Sequence, residues 1–359
     1  MSGHRQGPPP EDVTRREQAG NPPAVGRRGS AAAWKRAGEK VALAKAQWGD
    51  ARSSFLYGPD TGYAGPARDV SAAAKAARGG EEVPGDVHGP MLHAAVWTWE
   101  VPAYFFAGGL ASGAAFVAVA CDAVGDHDAA VLARRVTLGA ALPAAPLLIA
   151  DLGRPARFLN MLRIFKTRSP MSMGAWCLIA FSTSAAGAVA ADVLGLKRLA
   201  RAGGGGTALL GTYLGSYTGV LLAATATPLW ARSRALLAPI FICTATASGA
   251  AANRLIMRRG PARTALGRIE FTAMAAEVAL TAINERRIGE LKAPLERHRL
   301  FKAASWATRL GLVWRALRSD DGPSLLFLLA ALGYRFAWVE AGVRSATDDD
   351  AVARTMRRS

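Results

Sequence analysis

Several ionisable residues of this sequence stand in or beside long apolar stretches, where a charge needs a reason. Glu100 lies in the run WTWEVPAYFFAGGLASGAAF (97–116), with Trp97 and Tyr104 each about one helical turn away, so the three share a face at the edge of the run. An aromatic belt at a membrane boundary accounts for the tryptophans. It does not account for the acid, which is costly just inside hydrocarbon unless it is paired or faces a polar cavity. Glu270, Glu277 and Asn284 follow at seven-residue spacing and fall roughly on one helix face. Two carboxylates along a membrane helix suit a proton path, or ion pairs with an arginine of a neighbouring helix; Arg335, followed by Glu340, is the arginine that the last run offers. Asp151 closes another apolar run three residues before Arg154. That pair is either a local salt bridge or the charged rim of a ligand pocket, and spacing leaves both readings open.

The elements that must hold these residues are the apolar runs themselves. About eight are present, near 97–121, 131–150, 172–194, 207–230, 235–257, 264–283, 298–318 and 323–343. Runs of ~20 residues span a hydrocarbon core as helices. The expected fold is therefore all-α: a polytopic membrane protein of about eight transmembrane helices, read as two successive four-helix bundles, with no internal sequence repeat. Pro143 and Pro146 should kink the second span. Ser169-Pro170 reads as the start of the third, and the hydroxyls of Tyr213, Tyr217 and Thr218 in the fourth read as helix packing. Gly109-x-x-x-Gly113 is a small-residue face that admits a neighbouring helix. Residues 1–90, rich in Pro, Gly and charge, are expected to be a largely disordered tail with at most a short amphipathic helix near 31–47. They lack the pattern of a cleaved secretory signal. The membrane domain is expected over 91–345 and a solvated C-terminal tail over 346–359.

A formal net charge of +17 would suggest nucleic acid if it were concentrated on a soluble face. Here most Lys and Arg fall in short segments between apolar runs, which suits anionic lipid head groups instead. Basic segments on both sides leave orientation open. The three cysteines are far apart and form no C-x-x-C, so no iron–sulfur or zinc motif of the chain's own is expected.

The stretch 97–176 resembles the NrfD/PsrC family of integral membrane subunits. The residues that carry the resemblance are W-x-x-E (Trp97, Glu100), Y-F-F-x-G-G-L (104–110), D-L-G-R-P-x-R-F-x-N-M-L (151–162) and S-P-M-S-x-G-A-W (169–176), in that order, and the ending R-F-x-x-x-E-A-G (335–342) is similar to the family's last span. The resemblance implies a membrane anchor of a complex iron–sulfur molybdoenzyme, of the polysulfide reductase or formate dehydrogenase type. Its implied partners are a four-cluster iron–sulfur subunit, a molybdopterin (Mo/W) subunit and membrane lipid, in the inner (cytoplasmic) membrane. Its implied exchangeable substrate is a quinone, menaquinone or ubiquinone.

The family generally carries no haem, and the five histidines agree: His4, His88, His93, His127 and His298 all lie outside the depth of the spans. Electrons must then pass directly between a partner's cluster and quinone near one membrane face. An up-down order of spans brings Trp97, Glu100, Tyr104, Asp151 and 169–173 to one such face. Quinone reduction takes up two protons with two electrons, so a carboxylate or histidine must reach a quinone oxygen. Glu100 and His93 are the candidates for that exchange and Tyr104 for a hydrogen-bond donor. Arg154 would stabilise negative charge on the reduced ring or hold a docked partner, and Asp151, Asn160 and Ser172 complete the quinone or docking rim. Glu270, Glu277, Arg335 and Glu340 form the candidate proton path. They also support a different reading, a proton or solute transporter; a purely structural anchor is the third.

Overall fold

The computed structural model describes residues 97–152, 165–318 and 320–348, with positions 92, 95, 162, 163 and 352. All of these fall within the unit Ala64–Ser359, one of two compact units of the chain, and the following concerns that unit. The expected tail helix near 31–47 lies outside the described residues.

The described residues form helices and contain no strand. In chain order they are α1 (Glu100–Ala123), α2 (His127–Ala141), α3 (Ala144–Leu152), α4 (Pro170–Val193), α5 (Lys197–Ala223), α6 (Pro228–Ile256), α7 (Pro261–Ile288), the short α8 (Ala293–Glu296) after a 3-10 turn, α9 (Arg299–Leu317) and α10 (Gly322–Ala346). Each expected run coincides with one long helix, the second being the broken pair α2–α3. The break falls at Leu142-Pro143, where the proline ring removes a backbone donor. Five segments, α1, α2–α3, α4, α6 and α10, are long and apolar enough to cross a membrane. Of the other three long helices, α7 and α9 carry more charge along their length, and α5 is diluted by glycine and hydroxyl residues.

Local signals explain the boundaries. The Ser169 hydroxyl accepts from the Ser172 N–H at 3.4 Å, and Pro170 occupies the first turn of α4. The fourth run reads as continuous to 230, yet α5 stops at Ala223 and Pro228 opens α6, since a proline fits a first turn far better than a helix interior.

Helix α1 packs against α2, α5 and α6 and also reaches α10, which makes it the shared wall of the first group of helices (α1–α5) and the second (α6–α10). The two groups meet at backbone contact. A Cβ on Gly113 would stand 1.9 Å from the Ala245 carbonyl oxygen, and one on Gly249 would stand 2.1 Å from the Gly113 carbonyl carbon. The expected small-residue face is thus used at Gly113; at Gly109 it makes room instead for the Arg335 guanidinium, whose Nη2 is 3.1 Å from where a Cβ would be.

Candidate functional site

The up-down order of helices places the start of α1, the end of α3, the start of α4 and the end of α5 at one end of the molecule. There they enclose a small cleft of about 50 Å³ lined by Trp97, Tyr104, Asp151, Met171, Tyr217 and Leu148, among others. Its walls are built by close packing. Trp97 stacks on Trp230 of α6, with ring centroids 5.2 Å apart, and meets Phe105 edge-on at 6.3 Å. Trp230 is fixed in turn by donating its indole N–H to the Trp338 carbonyl at 2.9 Å. Tyr217 presses on Gly174, where a Cβ would lie 2.1 Å from the ring. The G-A-W block of the third span therefore serves the cleft through what Gly174 lacks.

Tyr104 and Tyr217 are both 4% exposed. Neither phenol donates a hydrogen bond to a protein group among the described residues, while other buried hydroxyls of the bundle, such as Ser112 and Thr137, bond backbone carbonyls. Two phenols left with spare donors beside apolar walls suit a flat ligand bearing carbonyl oxygens. At the lip, Glu100 accepts from the Thr98 hydroxyl, and it lies near enough to Asp151 for the two carboxylates to repel. A pair of acids at a mouth leading to two phenols is an arrangement able to deliver protons to a ligand oxygen.

Of the residues expected to form the rim, Tyr104 and Asp151 line the cleft and Glu100 stands at its lip. Ser172 lies beside Met171, where its hydroxyl accepts from the Lys166 N–H at 3.1 Å. His93, Arg154 and Asn160 lie outside the described residues. Met171 belongs to the 169–173 segment expected at this face, whereas no motif points to Tyr217 or Leu148 as lining residues. Tyr217 falls in the middle of the run expected over 207–230, and it reaches the cleft end because the helix stops earlier, at Ala223, which puts Tyr217 in its last two turns.

The second set of charges is distributed differently from expectation. Arg335 is not the ion-pair partner of Glu270. That carboxylate is paired with Arg315 of α9 and accepts from the Ser324 hydroxyl at 2.9 Å. Ser324 and Arg335 are eleven residues apart on α10, about 16 Å along a helix at ~1.5 Å per residue, so one side chain cannot serve both levels. Arg335, fully enclosed, donates to the Phe241 carbonyl at 3.0 Å and the Thr244 hydroxyl at 3.2 Å, and lies 4.1 Å from the Phe241 ring centroid. Glu277 accepts from Thr281 at 2.8 Å. Glu340 meets His298 at 2.8 Å, near the end of the molecule where the cleft opens. Glu270 and Glu277 are some 10 Å apart along α7. The four groups thus occupy successive levels of the second helix group without direct hydrogen bonds between them.

At the opposite end from the cleft, Arg134 binds both oxygens of Asp192, at 2.6 and 2.8 Å, and Asp122 at 2.6 Å. This ties α1, α2 and α4 together. A buried guanidinium satisfied by two acids is structural bracing.

The model of the family described as polysulphide reductase, NrfD matches residues 90–284, more than half of the chain. No curated protein matches the chain significantly.

Proposed function

The chain belongs to the polysulphide reductase NrfD family, multi-pass membrane subunits of polysulphide reductase-like complexes, and from that premise we propose that its cleft is the quinone site of such a complex. The observation that carries the reading is the placement of Trp97, Tyr104 and Asp151, from three separate motif blocks, around one cleft with two phenols that have spare donors.

In this reading the chain anchors an iron–sulfur subunit and, through it, a molybdopterin subunit of polysulfide reductase or formate dehydrogenase type in the cytoplasmic membrane. The partner's clusters exchange electrons with menaquinone or ubiquinone, and this chain contributes neither haem nor a cluster of its own. Trp97 and Phe105 hold the flat ring. Tyr104 and Tyr217 donate hydrogen bonds to its oxygens and so fix its orientation. Glu100 and Asp151 pass protons between the aqueous end and the cleft, with His93 a further proton carrier. Arg154 and Asn160, close to Asp151 in the chain, complete the rim or meet the partner.

The test is the complex purified with its partners and supplied with a soluble quinone analogue. An iron–sulfur protein should co-purify and electrons should reach the analogue. A Glu100→Gln variant should keep assembly and lose turnover; full turnover in that variant overturns the proton role.

One observation favours a second activity. Glu277 and Arg335 are buried in the same helix group, with Glu277 Oε2 and Arg335 Nη1 unpartnered among the described residues. Such groups in a membrane interior mark ion or proton routes. Proton flux in liposomes without any electron donor would establish transport independent of redox turnover, and its absence removes that reading.

A further inference from the structure

A large cavity lies at the end of the helices opposite the cleft, between α6, α7, α9 and the start of α10. It measures about 940 Å³, and five arginines line it: Arg254, Arg259, Arg263, Arg268 and Arg315. That volume falls at the upper end of ligand pockets, ~300–1,000 Å³.

The charges of the wall do not cancel. Asp321 takes both Arg254, at 2.9 Å, and Arg263. Glu270 takes Arg315 from behind. Asp320 is occupied by the Trp314 indole N–H at 3.1 Å and the Gly322 N–H at 3.2 Å, while its carbonyl accepts from Arg315 at 2.7 Å. The acids are therefore spent within the wall, and they hold three guanidiniums in fixed positions. Arg259 and Arg268 remain exposed at the mouth, with no carboxylate within 4 Å among the described residues. The Arg315 Nε is buried behind this wall with no hydrogen-bond partner, so the acids present do not use all the donors of the guanidiniums. The first turn of α7, uncapped by any side chain at Gly260, lies along the same wall and places the positive end of the helix there.

Planar guanidinium forks match phosphate oxygens in pairs. The cavity lies where apolar helices end, the level of lipid head groups, and exposed Ile256 and Leu317 flank it with hydrocarbon surface. We propose that this cavity binds a phosphate-class anion, supplied either by the head group of an anionic phospholipid or by free inorganic phosphate. The proposal is independent of the quinone reading, because cavity and cleft are at opposite ends of the helices.

The test uses the full chain in nanodiscs of phosphatidylcholine containing phosphatidylglycerol, with retained lipid counted by native mass spectrometry after release into detergent. A second arm titrates inorganic phosphate against the thermal midpoint in detergent. Each arginine near an anionic head group is worth about five-fold in binding, so Arg259→Gln/Arg268→Gln should lower retention roughly twenty-five-fold. The Lys/Lys variant should keep most of it, which separates lost charge from lost folding. Arg198→Gln, an exposed arginine at the same end, should change nothing. Selective lipid retention lost in the Gln/Gln variant identifies the lipid source. A phosphate-dependent rise of the midpoint, lost in the same variant, identifies free phosphate. No selectivity in the parent chain for either anion, no change in the Gln/Gln variant, or an equal loss in Arg198→Gln overturns the proposal.

Discussion

Replacing Tyr104 by phenylalanine separates a ligand-binding phenol from a packing residue, because the two roles predict opposite outcomes. The side chain is 4% exposed and its hydroxyl donates to no protein group among the described residues. Removing a hydroxyl that makes no protein hydrogen bond takes no stabilising bond from the fold. The melting temperature of the Tyr104→Phe variant should therefore hold or rise by a few degrees. Binding should move the other way. A neutral hydrogen bond contributes about 0.5–1.5 kcal/mol net, so affinity for a soluble quinone analogue should fall roughly two- to thirteen-fold. Calorimetric titration of the detergent-solubilised chain, alongside thermal melts, reads both quantities. Tyr217→Phe should behave alike, and the double variant tests coupling: phenols sharing one ring oxygen give a non-additive loss, phenols on opposite oxygens an additive one. Unchanged affinity with a lowered melting temperature would show that Tyr104 only packs, and the cleft would lose its main support.

Three further outcomes follow from the packing and the ion pairs. Gly174→Val places a Cβ 2.1 Å from the Tyr217 ring; it should cost about 1–3 kcal/mol of stability through overpacking and displace the phenol, so melts and analogue affinity fall together. Glu270→Gln and Arg315→Met should each destabilise strongly, by about 3–5 kcal/mol for a broken buried pair, whereas the double variant should recover most of the loss; additive losses in denaturation would refute the pairing. The hydrogen bond from Arg263 holds the Asp321 carboxyl below the usual carboxylate range, with Arg254 adding to it. A folded-state pKa below the unfolded value of about 3.9 means stability fully present above that value and lost as pH falls through the folded one. Asp321→Asn should accordingly flatten the acid limb of a melting-temperature profile while leaving its shape near neutrality unchanged; an unaltered acid limb would remove Asp321 from the account.

The sequence reveals span-scale features because they are one-dimensional. Length and apolarity mark α1, α4, α6 and α10, and a proline in the first turn marks where α4, α6 and α10 start. The topology then follows from alternation alone, which is why the order of the runs already assigns Trp97, Glu100, Tyr104 and Asp151 to one end. Contacts between helices are a different matter, since they depend on rotation about each helix axis. Tyr217 lies on a face that reads as packing, and it does pack, against Gly174; only the rotation of α5 also turns its phenol to the cleft. Arg335 shows the limit most clearly. It stands in the same helix group as Glu270 and Glu277, and opposite charge invites pairing, but level along the axis decides: Glu270 is near the start of α7, where the ends of α9 and the beginning of α10 bring Arg315 and Ser324.

Level along the axis also separates two uses of charge that the sequence presents together. At the cleft end, acids stand close to one another and to groups with free donors, an arrangement that stabilises nothing by itself. At the other end, Asp122 and Asp192 clasp Arg134, and Asp321 clasps Arg254 and Arg263. Such clasps rigidify helix ends, and they leave Arg259 and Arg268 as surplus positive charge. If the carboxylates at the cleft were also structural, some guanidinium or ammonium among the described residues would be expected within ion-pair distance of Glu100 or Asp151. None is found there, and that contrast with the far end is what makes Glu100 and Asp151 the acids on which mutation should reveal chemistry rather than folding.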